Sequence, residues 1–173
     1  CFLKYGERKT YLNHILTLGT CDPIDGVEVV QCKTEEELLL RWHDLLIKEN
    51  PDIISGYNIY AFDFPYIWDR VVELGKLEKF RKLSKFKDYK SNIKEKVLAS
   101  AALGHTSWRE IETIGRIQVD LFKVIQRDYN LPSYKLDNVS SHFMKGKVTG
   151  TLDNIKIYSG KYYDFKNKIK CND

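Results

Sequence analysis

Asn58, Phe62 and Asp63 lie within one stretch, Ser55-Gly56-Tyr57-Asn58-Ile59-Tyr60-Ala61-Phe62-Asp63-Phe64-Pro65-Tyr66-Ile67, which combines an amide, an aromatic ring and a carboxylate. A strand that delivers Asn58 and a helix that begins near Asp63 would present all three groups on one rim. In an α/β fold, the rim beyond the C-terminal ends of the strands is where ligands commonly bind. A carboxylate there can take Mg²⁺ or Mn²⁺, which prefer oxygen ligands. On spacing alone, a helix N-cap is the simpler role for Asp63. Asp120 is a second acidic residue at a strand end, where capping again competes with metal ligation. Glu110 and Glu112 form a Glu-x-Glu that mimics half of a metal motif, in a lysine-flanked region. His14, His43, His105 and His142 are scattered, and a lone histidine is usually surface or satisfied core. Cys1, Cys21, Cys32 and Cys171 form no Cys-x-x-Cys pair. They read as reduced thiols of an intracellular protein, with neither a structural zinc nor a disulfide framework.

The elements that must hold these groups are marked by local signals. Tyr11 to Leu18 and Val27 to Cys32 are strand-like and flank a turn-rich segment, which predicts a hairpin or meander. Thr34 followed by Glu37 is a capping box, and Leu38, Leu39, Trp42, Leu45 and Leu46 give a helix one apolar face until Asn50-Pro51. Ile53 to Tyr57 predicts a buried strand. From Phe64, a second helix runs through Ile67, Trp68, Val71, Val72 and Leu74, with Gly75 to end it. Residues 76–114 show weak periodicity and read as a lysine-rich excursion. Gly115 to Asp120 predicts a strand, Leu121 to Tyr129 a helix, and Ser133 a cap for a short helix carrying Leu136, Val139, Ser140 and Phe143. Ile155 to Tyr158 is a further strand. The order predicts an α/β domain with helices packed on a mixed sheet.

Composition agrees with a folded domain. The 173 residues are 43% hydrophobic, 13% aromatic and 30% charged, too apolar for a disordered tract and too charged for a membrane protein. No run approaches the roughly 20 apolar residues that span a bilayer. Charge is segregated: residues 1–75 carry 7 basic and 13 acidic side chains, whereas residues 76–96 carry 9 and 3. The basic segment could neutralise a phosphate backbone, or it could be a solvated surface loop, which composition favours. A net charge of +6 argues for a peripheral, mobile position, because unpaired lysines cannot enter a core.

The string GYNIYAFDFPYI closely resembles the second exonuclease motif of the family B DNA polymerases. Gly115 to Phe122 and Ser133 to Ser140 resemble the segments that follow it, in the same order, in delta-type and giant-virus polymerases. The resemblance spans residues 55–143, and 34–54 also fit. It implies a ribonuclease-H-like 3′→5′ proofreading exonuclease that hydrolyses phosphodiesters with two Mg²⁺ or Mn²⁺ ions. It further implies Asp63 as catalytic metal ligand, with Asn58 and Phe62 contacting the unpaired primer strand; Asp120 and Asp137 occupy positions that are more usually structural. The partners implied are the single-stranded 3′ end of a DNA primer and the rest of a polymerase chain, without membrane, at a nuclear or viral replication site.

Two departures qualify this. No Asp-x-Glu, the family's first motif, and no Tyr-x-x-x-Asp or His-x-x-x-x-Asp, its third, occurs in residues 1–173. Of four expected carboxylates only Asp63 is present. The expectation is therefore the central part of one exonuclease domain, truncated at both ends, inactive alone, with an insertion at about 76–114 and a variable segment at about 145–173. The rival readings are a non-catalytic nucleic-acid-binding or scaffolding domain of the same fold, and a basic module whose lysines bind an acidic partner.

Overall fold

Helix α1 (Glu35–Glu49) forms as its capping box predicts: the Thr34 hydroxyl accepts the Glu37 N–H at 3.2 Å, and the Glu37 carboxylate reaches back to the Lys33 N–H at 2.9 Å. It ends at Asn50, whose left-handed backbone returns its N–H to the Leu46 carbonyl, just before Pro51. This is a computed structural model, describing residues 1–100, 104–144, 147–152 and 155–159. They fall into two compact units, Cys1–Leu121 and the residues from Phe122 onward.

In the first unit, β1 (His14–Leu18) and β2 (Glu28–Cys32) pair in parallel, His14 opposite Glu28 and Leu18 opposite Cys32. The predicted hairpin is thereby corrected. The intervening segment turns at Gly19 and Gly26, both with positive φ, and doubles back along the pair. Asn13 donates to the Gly26 carbonyl and Gln31 to the Cys21 carbonyl, which hold that return. Strand β3 (Ile53–Gly56) is followed by α2 (Asp63–Glu73), the one-turn α3 (Leu77–Phe80), the antiparallel hairpin β4 (Ile93–Ser100) and β5 (Gly104–Ile111), and β6 (Ile117–Asp120). β6 lies parallel to β3.

α1 and α2 each bury one stripe, Leu39, His43 and Leu46 against Phe64, Trp68 and Val71. The Arg70 guanidinium grips the Glu35 carboxylate from α2 to α1, with Nε to Oε1 at 2.7 Å. The rest of this core is Ile59, Phe80, Leu83 and Ile111, with Phe80 stacked on Trp42 at 5.7 Å and edge-on to Trp68.

The lysine-rich stretch is thus not peripheral. Phe80 and Leu83 are completely buried, and Ser91 and Ser84 meet in the interior, where Ser84 also accepts the Ile114 N–H. Its cations stay at the surface by pairing with carboxylates: Lys76 with Glu36, Lys79 with Asp44, Lys85 with Asp52, Lys90 with Glu78 and Lys96 with Glu110. The apolar residues between the lysines, which weak periodicity concealed, enter the core. β3 is likewise half-exposed rather than buried, because only its Ile54 side packs inward; Ile53 and its register partner Ile117 face outward.

The second unit carries most of α4 (Leu121–Asp128), then α5 (Leu136–Phe143) and an antiparallel pair, β7 (Lys147–Leu152) and β8 (Ile155–Ser159). Tyr129 meets Phe143 edge-on at 4.8 Å, and the Tyr134 hydroxyl donates to the Tyr129 carbonyl. Ser133 does not cap α5. Lys135 occupies the cap position, and the Ser133 hydroxyl accepts the Lys135 N–H in a turn one step earlier. Among the described residues, the strands form four two-stranded sheets, two parallel and two antiparallel, rather than one mixed sheet. No strand pairs on both edges, so none joins one sheet to the next. The chain is mixed α/β.

Candidate active site

β3 and β6 run in the same direction, so their C-terminal residues, Gly56 and Asp120, are register partners on one rim. The chain leaves Gly56 into a tight loop that folds Ile59 back over the strand end. A Cβ on Gly56 would stand 2.5 Å from the Ile59 methyl, Cγ2, which demands glycine there. Asn58 takes a left-handed backbone (φ 62°), a conformation that asparagine tolerates better than most residues. Next, the N–H groups of Phe62 and Phe64 donate to the carbonyls of Asn58 and Ile59 and wind the chain into α2.

The Asp120 carboxylate is 3% exposed and meets this loop: Oδ1 accepts the Asn58 N–H at 2.7 Å and Oδ2 the Tyr60 N–H at 3.3 Å. The Tyr60 hydroxyl donates to the Gln118 carbonyl at 3.1 Å, tying the same loop to β6 a second time. Burial, reinforced by the charges of Glu110 and Asp120, pushes the Tyr60 hydroxyl up to about 12. A third tie comes from β5, whose Arg109 N–H donates to the Tyr60 carbonyl. The Arg109 guanidinium also makes a bidentate pair with Asp69 on α2, both contacts at 2.7 Å, and holds that carboxyl below its usual range.

Asp63 is the first residue of α2. The N-cap position belongs to Phe62, which offers no side-chain cap, so the capping role that spacing suggested for Asp63 is not the one it takes. Its carboxyl is pushed up by burial, pulled back by its own backbone N–H, and pushed up again by the Asp120 charge. Beside it, Phe62 and Tyr66, one helical turn apart, expose 65% and 55% of their surface. Their rings stack at 6.1 Å with 5° between planes, forming a flat apolar step at the mouth of the loop. Asn58, earlier in the same loop, is half-buried.

The structure therefore brings Asn58, Phe62 and Asp63 to one loop-to-helix junction and adds Asp120 beneath it. Asp137 lies in the first turn of α5, in the second unit. Glu110 and Glu112 pair with Lys96 and Lys94 along an open cleft of about 490 Å³. His14 lies 3.1 Å from a Glu28 oxygen, His43 packs on Phe80, and His142 lies beside Phe143; the His105 side chain is outside the described residues. Cys1, Cys21 and Cys32 are free thiols, and Cys171 is likewise undescribed. Among the described residues, no three carboxylates, imidazoles or thiols converge as a metal-binding set. Tyr66 stood in the motif without a role, and Arg109 escaped notice in the sequence. Tyr66 could have been found as the i+4 partner of Phe62, whereas nothing local marks Arg109.

A strand-end loop thus delivers an amide, an exposed ring and a partly desolvated carboxylate to one junction. Residues 1–139 match the exonuclease domain of DNA polymerase family B, and the chain belongs to that family. It is 46% identical, over 97% of its length, to a DNA polymerase of Pyramimonas orientalis virus. It is 43% identical over 81% to the DNA polymerase delta catalytic subunit of Dictyostelium discoideum, and 40% identical over 80% to that of Glycine max. The chain spans 13–14% of the length of these relatives. Among the described residues, no helix is long and apolar enough to cross a membrane.

Proposed function

We propose that the chain is part of the 3′→5′ proofreading exonuclease of a replicative family B DNA polymerase, built on a ribonuclease-H-like fold and acting on the unpaired 3′ end of a primer. One observation carries the reading: a single junction at the ends of a parallel strand pair presents Asp63, Asn58 and the Phe62–Tyr66 step together. The ring pair suits a single strand, because every base has a face to stack on. The Asn58 amide can both donate to and accept from that strand.

The donor chemistry fits a hard divalent cation in part. Asp63 offers oxygen at a site where burial favours meeting a positive charge, while the Asp120 oxygens already hold backbone N–H groups. Asp63 would supply one ligand of such a site. Asp63 would hold Mg²⁺ or Mn²⁺ there, and the chemistry such an ion would supply is a lowered pKa for the attacking water and stabilisation of the leaving 3′ oxygen. The residues of this chain grip the strand end, stack its terminal bases on Phe62 and Tyr66, and hold Asp63 at the head of α2.

The test is metal-dependent digestion of single-stranded and mismatched primers by the full polymerase, with primer extension as folding control. Asp63→Ala should abolish digestion and spare extension. Asn58→Ala, Phe62→Ala and Tyr66→Ala should each weaken use of the primer end, by about 1–3 kcal/mol for a lost base stack or comparable contact, and leave residual cleavage. Full digestion by Asp63→Ala would move the site elsewhere and leave a non-catalytic, strand-binding domain as the better reading.

A further inference from the structure

We propose that Asp120 is a positioning residue for strand recognition: its buried carboxylate holds the left-handed turn at Asn58, and so aims the Asn58 amide at the primer end. The inference rests on the exonuclease reading above and assigns Asp120 a task distinct from metal ligation and from capping.

The geometry separates these roles. Asp120 is the register partner of Gly56, the last residue before the loop, so its side chain starts directly beside the segment it holds. Its two oxygens are divided between two N–H groups, those of Asn58 and Tyr60, two residues apart. A carboxylate has a separate oxygen for each, whereas a hydroxyl or an amide would have to serve both from a single oxygen. A non-glycine residue in the left-handed region persists only where its surroundings over-determine it. Here they do: Ile59 is locked over Gly56, the Tyr60 hydroxyl is held by Gln118, and the Tyr60 carbonyl is held by Arg109. The Asn58 carbonyl accepts the Phe62 N–H within the loop, and the Asn58 N–H is held by Asp120, from 62 residues away in the chain. Both oxygens thus already serve the loop backbone, the task that the proposal assigns to them.

The test uses the full polymerase and steady-state hydrolysis of a single-stranded primer, with KM and kcat measured separately. Asp120→Asn keeps the shape but leaves one of the two N–H groups facing a donor. It should raise KM by about tenfold or more with kcat little changed, as for loss of a charged acceptor that places a binding group. In an Asn58→Ala background the same change should add less than about twofold, because the group it aims is gone. Asp120→Glu keeps the charge but moves it by one methylene, so it too should raise KM if position matters. It covers the case in which Asp120→Asn fails to extend primers. A kcat loss with unchanged KM would make Asp120 a metal ligand or reacting group and overturn the inference. Full additivity with Asn58→Ala, or a normal KM in Asp120→Glu, would also overturn it. If Asn58→Ala alone leaves KM unchanged, the underlying assignment of Asn58 to the strand has failed, and the positioning role falls with it.

Discussion

Gly56 shows how little room the candidate site leaves at single residues. A methyl group there would collide with Ile59, itself buried in the core that supports α2. Gly56→Ala should therefore destabilise the domain by about 1–3 kcal/mol, the usual penalty of overpacking, and should weaken strand digestion as the loop shifts. Thermal unfolding and primer digestion of the full polymerase check both effects. Combining it with Ile59→Ala, which removes the colliding methyl, should recover part of the digestion even though the core loses contacts. A Gly56→Ala variant with unchanged melting and activity would mean that the loop is looser than its packing implies. At this scale the sequence was informative about identity and silent about support. Asn58, Phe62 and Asp63 were singled out by resemblance to a family motif, since spacing alone favoured a cap at Asp63, whereas Asp120 reaches the Asn58 N–H across 62 residues through a contact that carries no sequence signature.

Elements were legible where their signals are local. Thr34 and Asn50-Pro51 bracket α1, and Gly75 follows the end of α2, because caps and breakers act within one turn. Strand partners were not legible, since pairing is decided by distant chain. β1 and β2 read as a hairpin and are parallel, and β4 and β5 were hidden among lysines whose stems tolerate many settings. The residue that contradicts the mobile-insertion reading is Phe80. It is fully buried between Trp42, His43 and Trp68, and anchors α3 to both long helices. Phe80→Ala should cost about 3–5 kcal/mol, in the range for a buried aromatic. Amide exchange in the full polymerase should be slow at residues 80–84 of the unaltered protein, and should accelerate there and in α1 together in the variant. Fast exchange at 80–84 without the substitution would restore the peripheral reading.

Across the first unit, the acidic residues 1–75 and the basic segment 76–96 are complementary parts of one fold. Asp52 illustrates the consequence for pH. Its hydrogen bond to Lys85, with the accompanying charge attraction, holds its carboxyl below the ordinary 3.8. A depressed carboxyl contributes stability that is present above its unfolded value and lost as pH falls through its folded value. Asp52→Asn should therefore melt below the unaltered protein at pH 7 in low salt. The gap should narrow as pH drops below about 4, and close only beneath the depressed native value, where the native carboxyl is neutral too. A gap independent of pH would assign the loss to packing, and no gap at pH 7 would mean the pair is screened out.

The lysine pairing has a further consequence, for polyanions. Each ammonium ion already facing a carboxylate of its own chain must surrender that partner before it can displace a counterion from a phosphate. Among the described residues, Lys82 and Lys87 have no such internal rival, while Lys76, Lys79, Lys85, Lys90, Lys94 and Lys96 do. The segment that looks from composition like a magnet for any nucleic acid is thus largely self-neutralised. On the proposed reading, discrimination of an unpaired end from a duplex then rests with the aromatic step and the amide beside Asp63, because diffuse positive charge cannot supply it.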